Sequence, residues 1–193
     1  MTETLDLTKT ALVIIDLQKG IVARDNFAPY SAQEVLEKNE QLLQKLVNTE
    51  ALIVFVHVKN YGEEALRPLT DAVQNRTGKL PEDFSDFVSP IAFDKTVKNI
   101  IHVEKHNWGA FYGTDLDVQL RRRGIENVVL TGIATTIGVD TTAREAYQHS
   151  YNVLTVEDAM TDFDGEFHNE TVKHIFKRLG RVRTTAEVLE MFN

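Results

Sequence analysis

Residues 127–146, NVVLTGIATTIGVDTTAREA, decide the fold. An apolar, β-branched run (127–133) enters a tight turn and leaves it as a helix over 137–149, the pattern of a strand feeding a crossover helix. A turn of this kind is a common place to mount a nucleophile. Here residues 131–146 hold no cysteine, serine or histidine, and the turn centres on Gly138. Whatever chemistry it supports must be supplied from elsewhere in the chain.

The same alternation extends in both directions. Upstream, ALVIID (11–16) and ALIVFVHV (51–58) read as buried strands on either side of a helix, SAQEVLEKNEQLLQKLVN (31–48). Val35, Leu36, Leu42, Leu43 and Leu46 form its apolar stripe, with Ser31 as N-cap. NIIHVE (99–104) is a third strand, followed by a helix over 115–123. Downstream come the strand YNVLTVED (151–158), a helix over 165–179, a short strand RVR (181–183) and a terminal helix TAEVLEMF (185–192). Continuous apolar strands between amphipathic helices predict one α/β domain over 1–193. It is expected to be a three-layer, Rossmann-like fold with a six-stranded parallel sheet flanked by helices. Residues 60–95 stand apart, with three of the four prolines and many charges, and read as a lid or interface loop.

Composition narrows the function. The chain is 42% hydrophobic and 26% charged, a balance that builds a core rather than disorder. The longest apolar runs fall far short of the ~20 residues that span a bilayer. The polar start MTETLDLTKT lacks the order of a signal peptide, so a cytoplasmic protein is expected. A net charge of −8 argues against a nucleic-acid partner. The basic cluster Arg121–Arg123 falls at a helix end, where cations complement the helix dipole. Without cysteine there is no disulfide, no thiolate metal site and no sulfur nucleophile.

In a parallel sheet, ligands bind beyond the carboxyl ends of the strands. The first strand ends in Asp16, Leu17 and Gln18, and the third in Glu104 and Lys105, followed by HNWGAFYGTDLD. The fourth delivers Gly132 through Gly138, and the fifth Glu157 and Asp158. Carboxylates, an amine and a glycine-containing turn thus converge on one sheet edge.

Three stretches carry a resemblance: VIIDLQKG (13–20), EKHNWGAFYGTDLDVQLRRRGIENVVLTGIATTIGVDTTAREA (104–146) and VEDAMTD (156–162). Together they resemble the isochorismatase-like (cysteine hydrolase) superfamily, and within it a YecD-like bacterial branch. The resemblance runs in order over nearly the whole chain, and only 60–95 carries none of its motifs. It implies a hydrolase of small molecules that needs no cofactor and is usually a dimer or larger homo-oligomer. Amidases of the superfamily use an aspartate, a lysine and a cysteine. By resemblance Asp16 and Lys105 take the first two places, and Gly138 stands where the cysteine would be.

Isochorismatases also have glycine there and hydrolyse a vinyl ether, a reaction that needs no nucleophilic side chain. Protonating the terminal carbon gives an oxocarbenium ion that water captures, so a general acid with a raised pKa suffices. A carboxyl desolvated at the end of ALVIID and opposed by a lysine meets that need. Gly138 is expected to leave room for substrate or water. The turn reads GIATTIG where isochorismatases read Gly-Val-Tyr-Ala-His, so the resemblance carries a reaction class rather than isochorismate itself. Nicotinamidases carry an Asp-x-His metal motif after the second strand; the corresponding VHVKNYGEE (56–64) has none, and no metal is expected. The alternatives are an amidase that activates water with Asp16, and a binding or scaffold protein that lost catalysis with its cysteine.

Other roles follow from position. The resemblance implies a cis peptide between Ile133 and Ala134, turning the Ala134 N–H toward the pocket beside that of Gly138. Gln18, Trp108 and Phe111 are candidate substrate contacts, Gln18 also being suited to hold a loop. His57 reads as structural, and Asp158 and Asp162 as caps of the next helix. FSDFVSPIAF (84–93) reads as a protruding apolar loop that invites self-association.

Overall fold

The computed structural model describes residues 3–59, 69–71 and 80–192. Much of the expected lid, 60–68 and 72–79, therefore lies outside the described residues. Six strands form one all-parallel sheet: β1 (Thr10–Ile15), β2 (Leu52–Val58), β3 (Ile100–Lys105), β4 (Asn127–Ile133), β5 (Asn152–Thr161) and β6 (Gly180–Arg183). Their order is β3-β2-β1-β4-β5-β6, so the chain reverses its direction of travel between β1 and β4. In an open α/β sheet that switch point opens a crevice at the carboxyl ends of the strands.

Helices cover both faces. The segments are α1 (Lys19–Val22), α2 (Ala32–Leu46), α3 (Leu116–Arg122), α4 (Asp140–Gln148), α5 (Gly165–Thr171), α6 (Lys177–Leu179) and α7 (Thr185–Met191). All six residues of β1 are buried, which is why its sequence is continuously apolar rather than alternating. Leu12 and Ile14 pack with Leu42 and Leu46 of α2 and Val188 of α7. Val13 and Ile15 face the other way, toward Leu116 and Leu120 of α3 and Ala143 and Ala146 of α4. Ser31–Glu34 and Thr184–Glu187 form reciprocal capping boxes that set the starts of α2 and α7.

The structure corrects the sequence reading in three places. The strand expected to end at Asp158 continues to Thr161. Its register jumps from Leu130↔Thr155 to Gly132↔Met160, so β4 advances two residues while β5 advances five. The extra residues bulge out and carry Asp158 to α7, where its carboxylate accepts from the Thr185 amide at 2.6 Å. The helix over 165–179 is interrupted by a π-helical stretch, Val172–Phe176. Finally, 84–93 does not protrude. Phe84, Phe87, Ile91 and Ala92 are buried, Phe87 stacks on His57 and His102, and of the stretch's large hydrophobic side chains only Phe93 is exposed.

Candidate active site

Asp16 is the first residue past β1. Its backbone is left-handed (φ 55°), which costs a non-glycine residue about 1–3 kcal/mol and persists only where the surroundings impose it. The neighbouring strand does so. A Cβ on Gly132 of β4 (φ 116°) would stand 2.0 Å from the Ile15 carbonyl oxygen, so only glycine lets β4 come this close to the end of β1.

Lys105, the last residue of β3, lies two strands away from β1, a spacing of about 10 Å. Its extended side chain crosses the end of β2, and Nζ sits 2.8 Å from Asp16 Oδ2. Nζ also donates to the Asn107 carbonyl at 3.0 Å. Both charged groups are buried. Among the described residues, Asp16 Oδ1 has no hydrogen-bond partner. Burial pushes the Asp16 carboxyl above the ordinary carboxylate range, against the pull of Lys105 and, more weakly, of His57.

The turn after β4 completes the site. Ile133–Ala134 is a cis peptide, as expected, and Thr135–Val139 forms a π-helical turn leading into α4. The Ala134 carbonyl accepts from Ile137 N at 3.1 Å and Val139 N at 3.2 Å. A Cβ built on Gly138 would lie 3.4 Å from both Asp16 Oδ2 and the Trp108 carbonyl oxygen. It would also lie 2.9 Å from Ile15 Cγ2, so Gly138 leaves no open slot the size of a side chain.

Asp16, Lys105, Ile133, Ala134 and Gly138 therefore converge. The other candidates take separate places, Gln18 and His57 in the loop-holding and structural roles expected of them. Gln18 is fully buried and binds backbone: its Nε2 donates to the Val58 and Phe84 carbonyls (both 3.0 Å) and its Oε1 accepts from Val58 N (2.8 Å). Trp108 contributes its backbone carbonyl to the site, while the residue as a whole is 63% exposed. Phe111 is a core residue of the α4 side, stacked on His149 at 5.2 Å. Glu104 forms a half-exposed pair with Lys59. His57 is structural, its Nδ1 2.7 Å from the Ser85 carbonyl.

Asp162 does not cap the next helix. That task falls to Asp164, which accepts from the Glu166 and Phe167 amides. Asp162 Oδ2 instead accepts from Thr136 N (2.6 Å) and Thr136 Oγ (2.7 Å). His168, buried in α5, meets Thr135 Oγ at 2.8 Å. Sequence reasoning missed this contact because nothing in the spacing of His168 ties it to a turn 33 residues earlier. Asn107 was missed because it acts through its carbonyl. Among the described residues no group of three or more histidine, aspartate or glutamate side chains is arranged to hold a metal. No helix there is long and apolar enough to cross a membrane.

Comparison with known proteins follows the same lines. The isochorismatase domain family matches residues 10–187. The isochorismatase family protein YwoC of Bacillus subtilis is 46% identical over 98% of this chain and 97% of its own length. YecD of Escherichia coli O157:H7 is 41% identical over 96% and 97%. An isochorismatase family protein from Burkholderia thailandensis superposes with a TM-score of 0.86 at 40% identity, covering 99% of this chain and 98% of its own.

Proposed function

Because the chain belongs to the isochorismatase family of hydrolases, we propose that it cleaves a small carboxylated metabolite by proton transfer from Asp16, without a covalent intermediate on any side chain. The observation that carries this reading is the buried Asp16–Lys105 pair at 2.8 Å against a turn whose nucleophile position is glycine. Lys105 binds Oδ2 and leaves Oδ1 as the end that holds the mobile proton. Desolvation keeps that proton on at higher pH than an ordinary carboxyl would.

On a vinyl ether, the Asp16 proton goes to the terminal carbon and the alkene electrons form the new C–H bond, leaving an oxocarbenium ion. Lys105 stabilises the carboxylate left behind. Water adds to the cationic carbon and returns a proton to Asp16, and the resulting hemiketal collapses to a carbonyl compound and an alcohol. The 134–138 turn forms the wall that receives the substrate carboxylate, aided by the positive end of α4.

The experiment is a parallel screen of vinyl ethers and small amides with the wild-type protein and Asp16→Asn. Turnover of a vinyl ether that falls roughly 10²-fold or more in kcat in Asp16→Asn is expected, since general acid–base catalysis contributes 10²–10⁴-fold. A substrate turned over equally by both proteins would end the mechanism, and selective turnover of amides would replace it with direct activation of water by Asp16.

A further inference from the structure

We propose that Asp162, seconded by His168, is a positioning residue that clamps the 135–139 turn from behind and so holds Ala134 and Gly138 against Asp16. The proposal rests on the reading of that turn as the wall facing the substrate.

A single π-helical turn is a rare element, and such turns are frequent at functional sites. This one is gripped by two separate elements. From the end of β5, Asp162 takes both the amide and the hydroxyl of Thr136, at 2.6 and 2.7 Å, midway between Ala134 and Gly138. From α5, His168 Nδ1 hydrogen-bonds with the Thr135 hydroxyl at 2.8 Å. The clamp is itself anchored. Asp162 Oδ1 accepts from Phe163 N at 2.7 Å, and its backbone exchanges hydrogen bonds with Ala28 at 2.8 and 3.1 Å. His168 sets its ring edge-on to Tyr30, in the same β1–α2 connection as Ala28.

Two facts argue that the clamp serves the turn rather than the local chain. Asp162 is 2% exposed, and a buried carboxylate is expensive unless its bonds are needed. The helix that follows already has its own cap in Asp164, so Asp162 is free to reach back 26 residues. The register jump in β5 is what delivers it. With an unbroken register, β5 would present Asp158 and Ala159 at this level instead of Thr161 and Asp162.

Amide exchange followed by 15N–1H spectra tests the clamp with no substrate present. Asp162→Ala should speed exchange at Thr136, Ile137 and Gly138 by at least about tenfold, the loss expected for a hydrogen bond to a charged group. Amides 128–131 of β4 should keep their protection, and Asp164→Ala should leave the turn unchanged. His168→Phe, which keeps the ring's bulk, should loosen the Thr135 end alone. Wild-type exchange in the turn of Asp162→Ala would overturn the proposal. So would loss of β4 protection in step with the turn, because Asp162 would then only support global stability.

A vinyl ether or amide turned over in the screen adds a second readout. Asp162→Ala should lower kcat well below that of Asp164→Ala at equal loss of thermal stability, with partial rescue in Asp162→Asn. Equal kcat in the two alanine variants would overturn the positioning role. If the wild-type protein turns over nothing, the proposed function fails while the exchange result still decides whether the clamp exists.

Discussion

Asp16 and Lys105 depend on each other in a way that neither shares with a surface ion pair. Both are removed from water, and breaking a buried pair by removing one partner typically costs about 3–5 kcal/mol. Lys105→Met is therefore expected to lower stability by that order and to push the Asp16 carboxyl higher still, since the lysine is the main force holding it down. Denaturant unfolding and the pH dependence of turnover measure the two effects. Gly138→Ala makes a different prediction. Its methyl meets Ile15 Cγ2 at 2.9 Å, inside a fully buried part of the core. Overpacking of this kind costs about 1–3 kcal/mol, so the variant should lose stability before it loses substrate affinity. Pairing it with Ile15→Ala should return part of that loss. A double-mutant cycle without coupling would show that the methyl is accommodated elsewhere.

At the scale of elements, the strands and most helices were legible because each carries one dominant signal. β1 and β2 are continuous apolar runs, and α2 has a clean stripe behind a Ser–Glu capping box. Asp16, Lys105 and the turn were legible for the related reason that strand ends in a parallel sheet share one edge. What stayed hidden were facts about pairing. The β5 bulge leaves no mark in the sequence of β5, because VEDAMT reads equally well as a strand followed by a turn. The 84–93 stretch is apolar because it packs on β2 and β3 through Phe87, and hydrophobicity alone does not tell a packed loop from a sticky one. Phe111 reads as pocket-lining from its closeness to Lys105 in sequence, yet its ring turns to the far end of α4. Gly132 gives the sharpest prediction at this scale. Any side chain there strikes the Ile15 carbonyl at 2.0 Å and needs an unfavourable φ, so Gly132→Ala should fail to give a cooperative unfolding transition under conditions where Gly138→Ala still does.

For the molecule as a whole, His168 sets a limit on the acid side. Burial holds its imidazole below the ordinary value, partly offset by the Asp162 charge. The folded protein therefore keeps His168 neutral where the unfolded chain would protonate it. Stability from this residue is present above about pH 6.5 and is lost as pH falls through the lower folded value. Melting temperature should drop on acidification, and His168→Gln should flatten that dependence; parallel curves for the two proteins would show that His168 is not the sensor. The switch point of the sheet has a kinetic meaning as well. The carboxylate and ammonium arrive from the β1–β3 half of the sheet, the turn and its clamp from the β4–β6 half, and they meet only where Thr10–Ile15 zips against Asn127–Gly132. That pairing joins residues 117 apart in sequence, from Thr10 to Asn127, and contacts of such range are slow to form. A refolding chain regains hydrolysis no sooner than this seam closes, so return of activity times the union of the two halves.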